Sequence, residues 1–491
     1  MNEGWSHRPH ISHATASAGA GAELGELPAW NLADLYNGVG DPALKADLAR
    51  VSEDAKAFEA AWAGKLAEAA GKTGDAGLGA AISEFERIEE TMGRIMSFAG
   101  LNYFSDTTDV AAAKFYGDAQ GAITDASSHL LFFPLELNRL DDALVETCFA
   151  NDDKAAYYRP WIVDLRLDRP HQLEDRIEKL FHEKSITGHA AWNRLFDETM
   201  SSLKFDIDGE ELQIEPALSL LQEPDRETRH KAAKVLSETF GKHIRTFALI
   251  TNTLAKDKEI SDRWHGFIDI ADSRHLANRV ERPVVDALVK AVTEAAPRLS
   301  HRYYAMKARW LGLEKLEFWD RNAPLPETPK RVIPWSEAEE TVLKAYDGFA
   351  PEMAEIAGRF FRQNWIDAPV RPGKASGAFA HPTVPSAHPY VIVNYMGKPR
   401  DVMTLALELG HGVHQVLAGG QGALMASTPL TLAETASVFG EMLTFRRLLA
   451  ETRDPRERKA MLSQKVEDMI NTVVRQIAFY QFERKVHTAR R

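Results

Sequence analysis

Residues 405–415 read Leu405-Ala406-Leu407-Glu408-Leu409-Gly410-His411-Gly412-Val413-His414-Gln415. At about 100° per residue, Glu408, His411 and His414 step along one face of a helix. Glu-x-x-His alone is a weak signal, and Glu227-Thr228-Arg229-His230 repeats it inside an ordinary charged helix. The glycines add weight. Gly410 and Gly412 each cost up to ~1 kcal/mol relative to Ala in a helix interior, a penalty that points to something approaching the backbone closely. The following helix carries Thr431-Leu432-Ala433-Glu434 and runs on to Glu441. Glu434 and Glu441 are seven apart and so share a face, but Thr431-x-x-Glu434 also fits a capping box. Both roles stay open for Glu434.

Working outward, most of the sequence has apolar residues at helical spacing, as over 43–69, 78–102, 110–127, 226–260 and 283–310. One clear β signal interrupts it: Leu203 to Ile207 and Glu211 to Ile214 alternate around Asp208-Gly209, which predicts a hairpin and a lobe boundary near residue 205. Ser336-Glu337-Ala338-Glu339 fits a capping box opening another helix. Between Asp367 and Arg400, Pro, Gly, Ser and His dominate, with a strand-like run from Tyr390 to Tyr395. Helices are expected at 401–418 and 432–449, and a third pattern starts at Met461 and is still running at Arg491. Residues 1–27 read as a disordered lead-in without the apolar block of a signal peptide.

Composition narrows the function classes. Lys and Arg number 59 against 71 Asp and Glu, a net charge of -12, which argues against nucleic acid as the main partner. The 44% hydrophobic and 26% charged residues are ordinary for a globular protein. Cys148 is the only cysteine, so no intrachain disulfide or Cys-built zinc ribbon can form, and it reads as a small buried apolar residue. No run approaches the roughly 18 apolar residues of a membrane span. A cytoplasmic protein is expected. His7, His10 and His13 read as incidental, Trp310, Trp319, Trp335 and Trp365 as packing residues, and Arg446, Arg447, Arg490 and Arg491 as solvated.

The block from Gly377 to Phe445 resembles the oligoendopeptidase F branch of the thimet-oligopeptidase-like zinc metallopeptidases. The residues that carry the resemblance are Gly373-Lys374-x-x-Gly377-Ala378-Phe379, His388-Pro389-Tyr390-Val391, Asn394-Tyr395, Arg400-Asp401-Val402, Glu408-x-x-His411-x-x-His414 and Glu434-x-x-Ser437-x-x-x-Glu441. A looser similarity extends from about Trp30 to the last residue. The resemblance implies a mainly α, two-lobed metallopeptidase with a deep channel and a small β element beside the active-site helix. Its parts would be residues 1–27 as the disordered segment, 28–205 as an N-terminal helical lobe and 206–491 as an incomplete catalytic domain. It implies one Zn2+ held by His411 and Glu434, with Glu408 as the general base on a zinc-bound water. It further implies that Glu441 and His414 support the ligands from behind. Tyr390, Val391, Asn394 and Tyr395 would bind short unfolded peptides through the edge of their strand.

Two departures qualify the family pattern. Position 407, where the first histidine ligand belongs, is Leu407, which offers no lone pair. His414 is a poor substitute, because it lies seven positions, or ~10 Å of helix rise, from residue 407. The sequence also stops before the segment that stabilises the tetrahedral intermediate in the family, so a C-terminal truncation is expected. Together these predict an endopeptidase scaffold with impaired or absent activity. A non-catalytic peptide binder is the alternative. A di-iron carboxylate bundle would need a second Glu-x-x-His facing the first with two more Glu, and none is evident beside Glu227 and His230. A helical scaffold without a site leaves the Gly377 to Glu441 block unexplained.

Overall fold

A computed structural model describes residues 23–326 and 331–489. Residues 1–22, which hold His7, His10, His13 and most of the expected lead-in, lie outside the described residues, as do 327–330, Arg490 and Arg491.

The protein folds as a mainly helical structure. Helix α1 (Pro42–Trp62) starts where the Asp41 carboxylate accepts from the Ala43 N–H. It ends before Gly64, whose φ of 74° breaks the longer run expected over 43–69. Helices α2 (Leu78–Ser105) and α3 (Val110–Ser127) follow, and α2 buries Ile82, Phe85, Ile88, Met92 and Ile95 along one stripe. The predicted hairpin is present: β1 (Phe205–Ile207) pairs antiparallel with β2 (Glu210–Leu212). Its turn residues Asp208 and Gly209 both have positive φ, 55° and 88°, as a primed two-residue turn requires. The hairpin closes a small core of its own with Ile214, Ala217, Ala232 and Leu236. Two helices, α4 (Arg226–Lys242) and α5 (Ile244–Trp264), replace the single run expected at 226–260.

The elements around the site come next. Helices α6 (Trp335–Asp347) and α7 (Pro351–Arg362) precede β3 (Ile366–Asp367), β4 (Phe379–His381) and β5 (Tyr390–Ile392). After them come α8 (Pro399–Gly419), α9 (Leu430–Glu451), α10 (Pro455–Ile470) and α11 (Gln476–Ala489). The three strands form one sheet in the order β3-β5-β4, with β3 parallel and β4 antiparallel to β5. Strand β5 is therefore central and all three of its residues are fully buried. This corrects the expectation that the strand from Tyr390 offers its edge to a peptide, because both its edges are already paired. The free edge of the sheet on that side belongs to β4.

Both predicted capping boxes are also corrected. Pro334 and Pro429 occupy the positions before α6 and α9, and neither end has a side-chain cap bond. Thr431 sits inside α9, and its hydroxyl donates to the Asn278 carbonyl. The helices begin two residues earlier than the capping pattern suggests: Pro334 and Pro429 hold the N-cap positions with extended ψ of 153° and 152°, and proline has no side-chain acceptor to offer the first turn.

One core cluster joins residues 35–165 to residues 335–445. The segment before α1 is laced into the sheet: the Ala368 N–H donates to the Pro28 carbonyl at 2.9 Å, and the Tyr390 hydroxyl donates to the Asn31 carbonyl at 2.8 Å. Trp30 packs edge-on against Tyr390 at 5.9 Å.

Candidate active site

Helix α8 lies against α9 at unusually close range, and glycines permit it. A Cβ on Gly410 would sit 2.7 Å from the Ala436 carbonyl oxygen, and one on Gly440 would sit 2.9 Å from the Ala406 carbonyl oxygen. The Gly412 position is closed by the Phe360 ring, 2.6 Å from such a Cβ. The close approach inferred from the two in-helix glycines is thus made by a neighbouring helix and a phenyl ring. Helix crossing at this distance is what brings Glu434 on α9 opposite His411 on α8. Met396 and Lys398 donate their backbone N–H groups to one Asp401 carboxylate oxygen, both at 2.9 Å, and so fix the start of α8.

A groove of about 970 Å³ runs along α8, walled by β4, the loop after it and the start of α9. Leu407, Glu408, His411, His414 and Glu434 all line it. His411 Nε2 stands 3.6 Å from Glu434 Oε2, an ion pair rather than a hydrogen bond. The Ser437 hydroxyl donates to the same carboxylate oxygen at 3.0 Å and holds it in place. Burial pulls the His411 imidazole down, but the Glu434 carboxylate outweighs it and the ring's pKa is raised. Conversely, His411 and then Ser437 hold Glu434 below the usual carboxylate range against its partial desolvation. Glu408 is 6% exposed, and burial pushes its carboxyl up to about 7, reinforced by Glu434 and opposed by His411 and the Ala380 N–H.

The remaining sequence-predicted residues are placed differently. Glu441 is ion-paired at 2.8 Å with Lys465 on α10, so its partner is that lysine. His414 lines the groove one turn beyond His411. Tyr390 and Tyr395 are buried, and their hydroxyls donate to the carbonyls of Asn31 and Ile333, both at 2.8 Å. The Val391 N–H donates to the Trp365 carbonyl, and the Asn394 amide donates to the carbonyls of Ala375 and Gly377. These four hold the sheet together and brace the loop that precedes β4.

Sequence reasoning missed Ala380. The Ala380 carbonyl accepts from the Gln415 amide at 3.1 Å, and its N–H favours the ionised form of the Glu408 carboxylate. Both groups turn from β4 towards α8, because Ala380 stands opposite Val391, whose own N–H points the other way to the Trp365 carbonyl. No side-chain pattern announces such a contact, since alanine takes part through its backbone alone. Lys374 was singled out by resemblance only. Its ammonium is buried between the Asp367 carboxylate at 2.7 Å and the carbonyls of Pro369 and Val393 at 2.8 and 2.7 Å. Burial pulls its pKa down to about 8, with Asp367 opposing.

The donor set does not fit a zinc ion with three protein ligands. His411 and Glu434 supply two donors on facing helices, and the position one turn before His411 is the hydrocarbon side chain of Leu407. Among the described residues no group of three His, Cys, Asp or Glu side chains could hold a metal. No described helix is long and apolar enough to cross a membrane.

Comparison with known proteins bears on the same residues. The family model described as Peptidase family M3 matches residues 219–491, and one described as Oligopeptidase F matches residues 136–205. The protein is 26% identical over 435 residues to oligopeptidase PepF of Bacillus subtilis, which covers 87% of this sequence and 64% of the relative. It is 25% identical to group B oligopeptidase PepB of Streptococcus agalactiae, covering 83% of this sequence and 69% of the relative. It thus spans about two thirds of the length of these relatives. In fold it resembles oligoendopeptidase-F from Enterococcus faecium, with a TM-score of 0.64 at 23% identity, over 91% of this protein and 75% of the other. It also resembles PZ peptidase A with inhibitor 2, with a TM-score of 0.68 at 16% identity, over 88% and 73%.

Proposed function

Since the chain belongs to peptidase family M3, we propose that its groove is the peptide cleft of an oligoendopeptidase F-type metallopeptidase whose metal site is crippled by Leu407. Short unfolded peptides are the substrate class, as the family suggests, and the groove along α8 is where they would lie. The outer edge of β4 flanks this path, and a strand pairing there, in place of β5, would take the Ala380 carbonyl from the Gln415 amide. His411 and Glu434 are the two zinc donors that remain, and Glu408 is the general base of the family pattern. Burial pushes the Glu408 carboxyl up to about 7, the range in which a general base works at neutral pH, so the impairment falls on the metal donors and not on the base.

The observation that carries this reading is the neighbourhood of Leu407: it lines the groove one helical turn before His411, which stands 3.6 Å from Glu434. A third donor at that position would complete a set that two residues leave open. The test is turnover of an internally quenched peptide of about ten residues beside its binding, with the native protein and Leu407→His. The proposal expects the native protein to bind the peptide without measurable turnover. Rapid, chelator-sensitive hydrolysis by the native protein would refute the impairment, and absence of peptide binding would refute the cleft.

A second reading, a non-catalytic peptide binder, is favoured by the same Leu407. Peptide affinity unchanged by a chelator, with no gain of turnover in Leu407→His, would select it. The division at residue 205 into a helical lobe and a catalytic domain belongs to this proposal, as does a cytoplasmic place of action.

A further inference from the structure

Gln415 stands between the groove and the strand beside it. It lies on α8 one turn beyond His411, lines the groove, and donates from its amide Nε2 to the Ala380 carbonyl at 3.1 Å. The N–H of the same alanine favours the ionised form of Glu408, which lies one turn before His411. Glu408 and Gln415 are two turns apart, ~10 Å of helix rise. One helix thus serves both polar groups that Ala380 turns away from β5. Within the sheet those groups have no partner, because Ala380 stands opposite Val391, whose N–H goes to the Trp365 carbonyl.

The amide is held on one side only. Its oxygen, Oε1, is buried without a hydrogen-bond partner among the described residues. A neutral hydrogen bond stabilises modestly once its competition with water is counted, and a buried polar atom left unpaired opposes that gain. The contact is therefore weaker than a hydrogen bond between two fully satisfied groups. Ala380 itself lines the groove. Turning the Gln415 side chain out into the groove would hydrate Oε1 and free an acceptor on the groove's wall.

We propose that Gln415 is the gate of the β4 edge: its amide takes the place of a peptide N–H at the Ala380 carbonyl, and a peptide strand docks by displacing it. The proposal rests on the groove being the peptide cleft and names the backbone group through which a ligand is admitted. The exchange puts one N–H in place of another at a single acceptor, so the carbonyl is not left bare, and Oε1 loses its penalty. The ligand class follows: a peptide whose residue at that place keeps its N–H. Proline, or a residue methylated on nitrogen, has none to offer there. Gln415 acts on binding through the Ala380 carbonyl and so is a positioning residue.

The test is fluorescence anisotropy on the full-length protein with an N-terminally labelled hexapeptide of neutral side chains. Analogues of it carry a methyl group on one backbone nitrogen each. The native protein is compared with Gln415→Met, which keeps the bulk and removes the donor, and with Gln415→Ala. Both variants are expected to bind the parent peptide roughly two- to fivefold tighter, as the loss of one competing neutral hydrogen bond implies. One analogue alone should bind markedly more weakly than the parent, in native protein and variants alike, and it marks the residue that meets Ala380. A side chain that merely braced β4 against α8 would give the opposite sign, since its removal would loosen the groove and weaken every peptide. Weaker or unchanged binding by either folded variant overturns the gate but leaves the cleft standing, as does an equal penalty for all analogues. If none of the peptides binds to any of the three proteins, the cleft itself falls and the gate with it.

Discussion

Glu408 keeps a proton to about pH 7 because it is buried beside a second carboxylate, whereas in the unfolded state it ionises near pH 4.3. Between those values the folded protein holds a proton that the unfolded one has lost. The contribution of Glu408 to stability is therefore fully present below about pH 4 and is lost as pH rises through 7. Glu408→Gln, which keeps the shape and removes the titration, should flatten the decline in urea-unfolding stability between pH 5 and 8 by at most about 3 kcal/mol. An unchanged pH slope would show that Glu408 titrates normally. Gly410 makes a second residue-scale prediction. Its missing side chain lets the Ala436 carbonyl approach, so Gly410→Ala should overpack the α8–α9 crossing and cost about 1–3 kcal/mol in a denaturant melt. A neutral or stabilising change, as the helix propensity of Ala alone would give, would contradict the packing account.

At the scale of elements, helix α8 carries the site and Asp401 sets where it begins. Removing the carboxylate that accepts from Met396 and Lys398 leaves two N–H groups unpaired, so Asp401→Ala should cost about 1 kcal/mol. Hydrogen exchange at the first turn of α8 should rise, and an unchanged exchange pattern would show that the start is held by other contacts. The placing of Glu408, His411 and His414 along one face of a helix and the hairpin at Asp208-Gly209 were legible in the sequence, because side-chain periodicity and turn chemistry are local. The role of β5 was not. Tyr390 to Tyr395 looks the same whether it sits at the edge or the centre of a sheet, and only the pairing with residues 366–367 and 379–381 decides. Thr431 and Ser336 failed as caps for a related reason: each lies just after a proline that opens the helix first. Lys374 shows a different limit, since its spacing from Asp367 is visible but its burial between three backbone carbonyls and that carboxylate is not. Lys374→Met, which removes one partner of a buried charge pair, should cost about 3–5 kcal/mol, and a mild effect would mean that Arg371 suffices for Asp367.

On the scale of the whole molecule, a single core draws on residues before and after the hairpin, and the segment from Pro28 to Asn31 is bonded to the sheet that flanks the groove. A fragment holding only residues 206–491 should therefore lack fixed near-ultraviolet dichroism and bind no peptide, because Tyr390 and the floor of the cleft lose their cover. A folded, peptide-binding fragment would show that the lobes are independent. The central claim concerns the groove they build together: the scaffold of a family M3 peptidase in which a leucine stands where a third metal donor is needed. Zinc content after exhaustive dialysis, measured on the native protein and on Leu407→His, tests it most directly. The account predicts that the native protein loses its zinc while Leu407→His retains about one ion per molecule. Near-stoichiometric zinc in the dialysed native protein would contradict it.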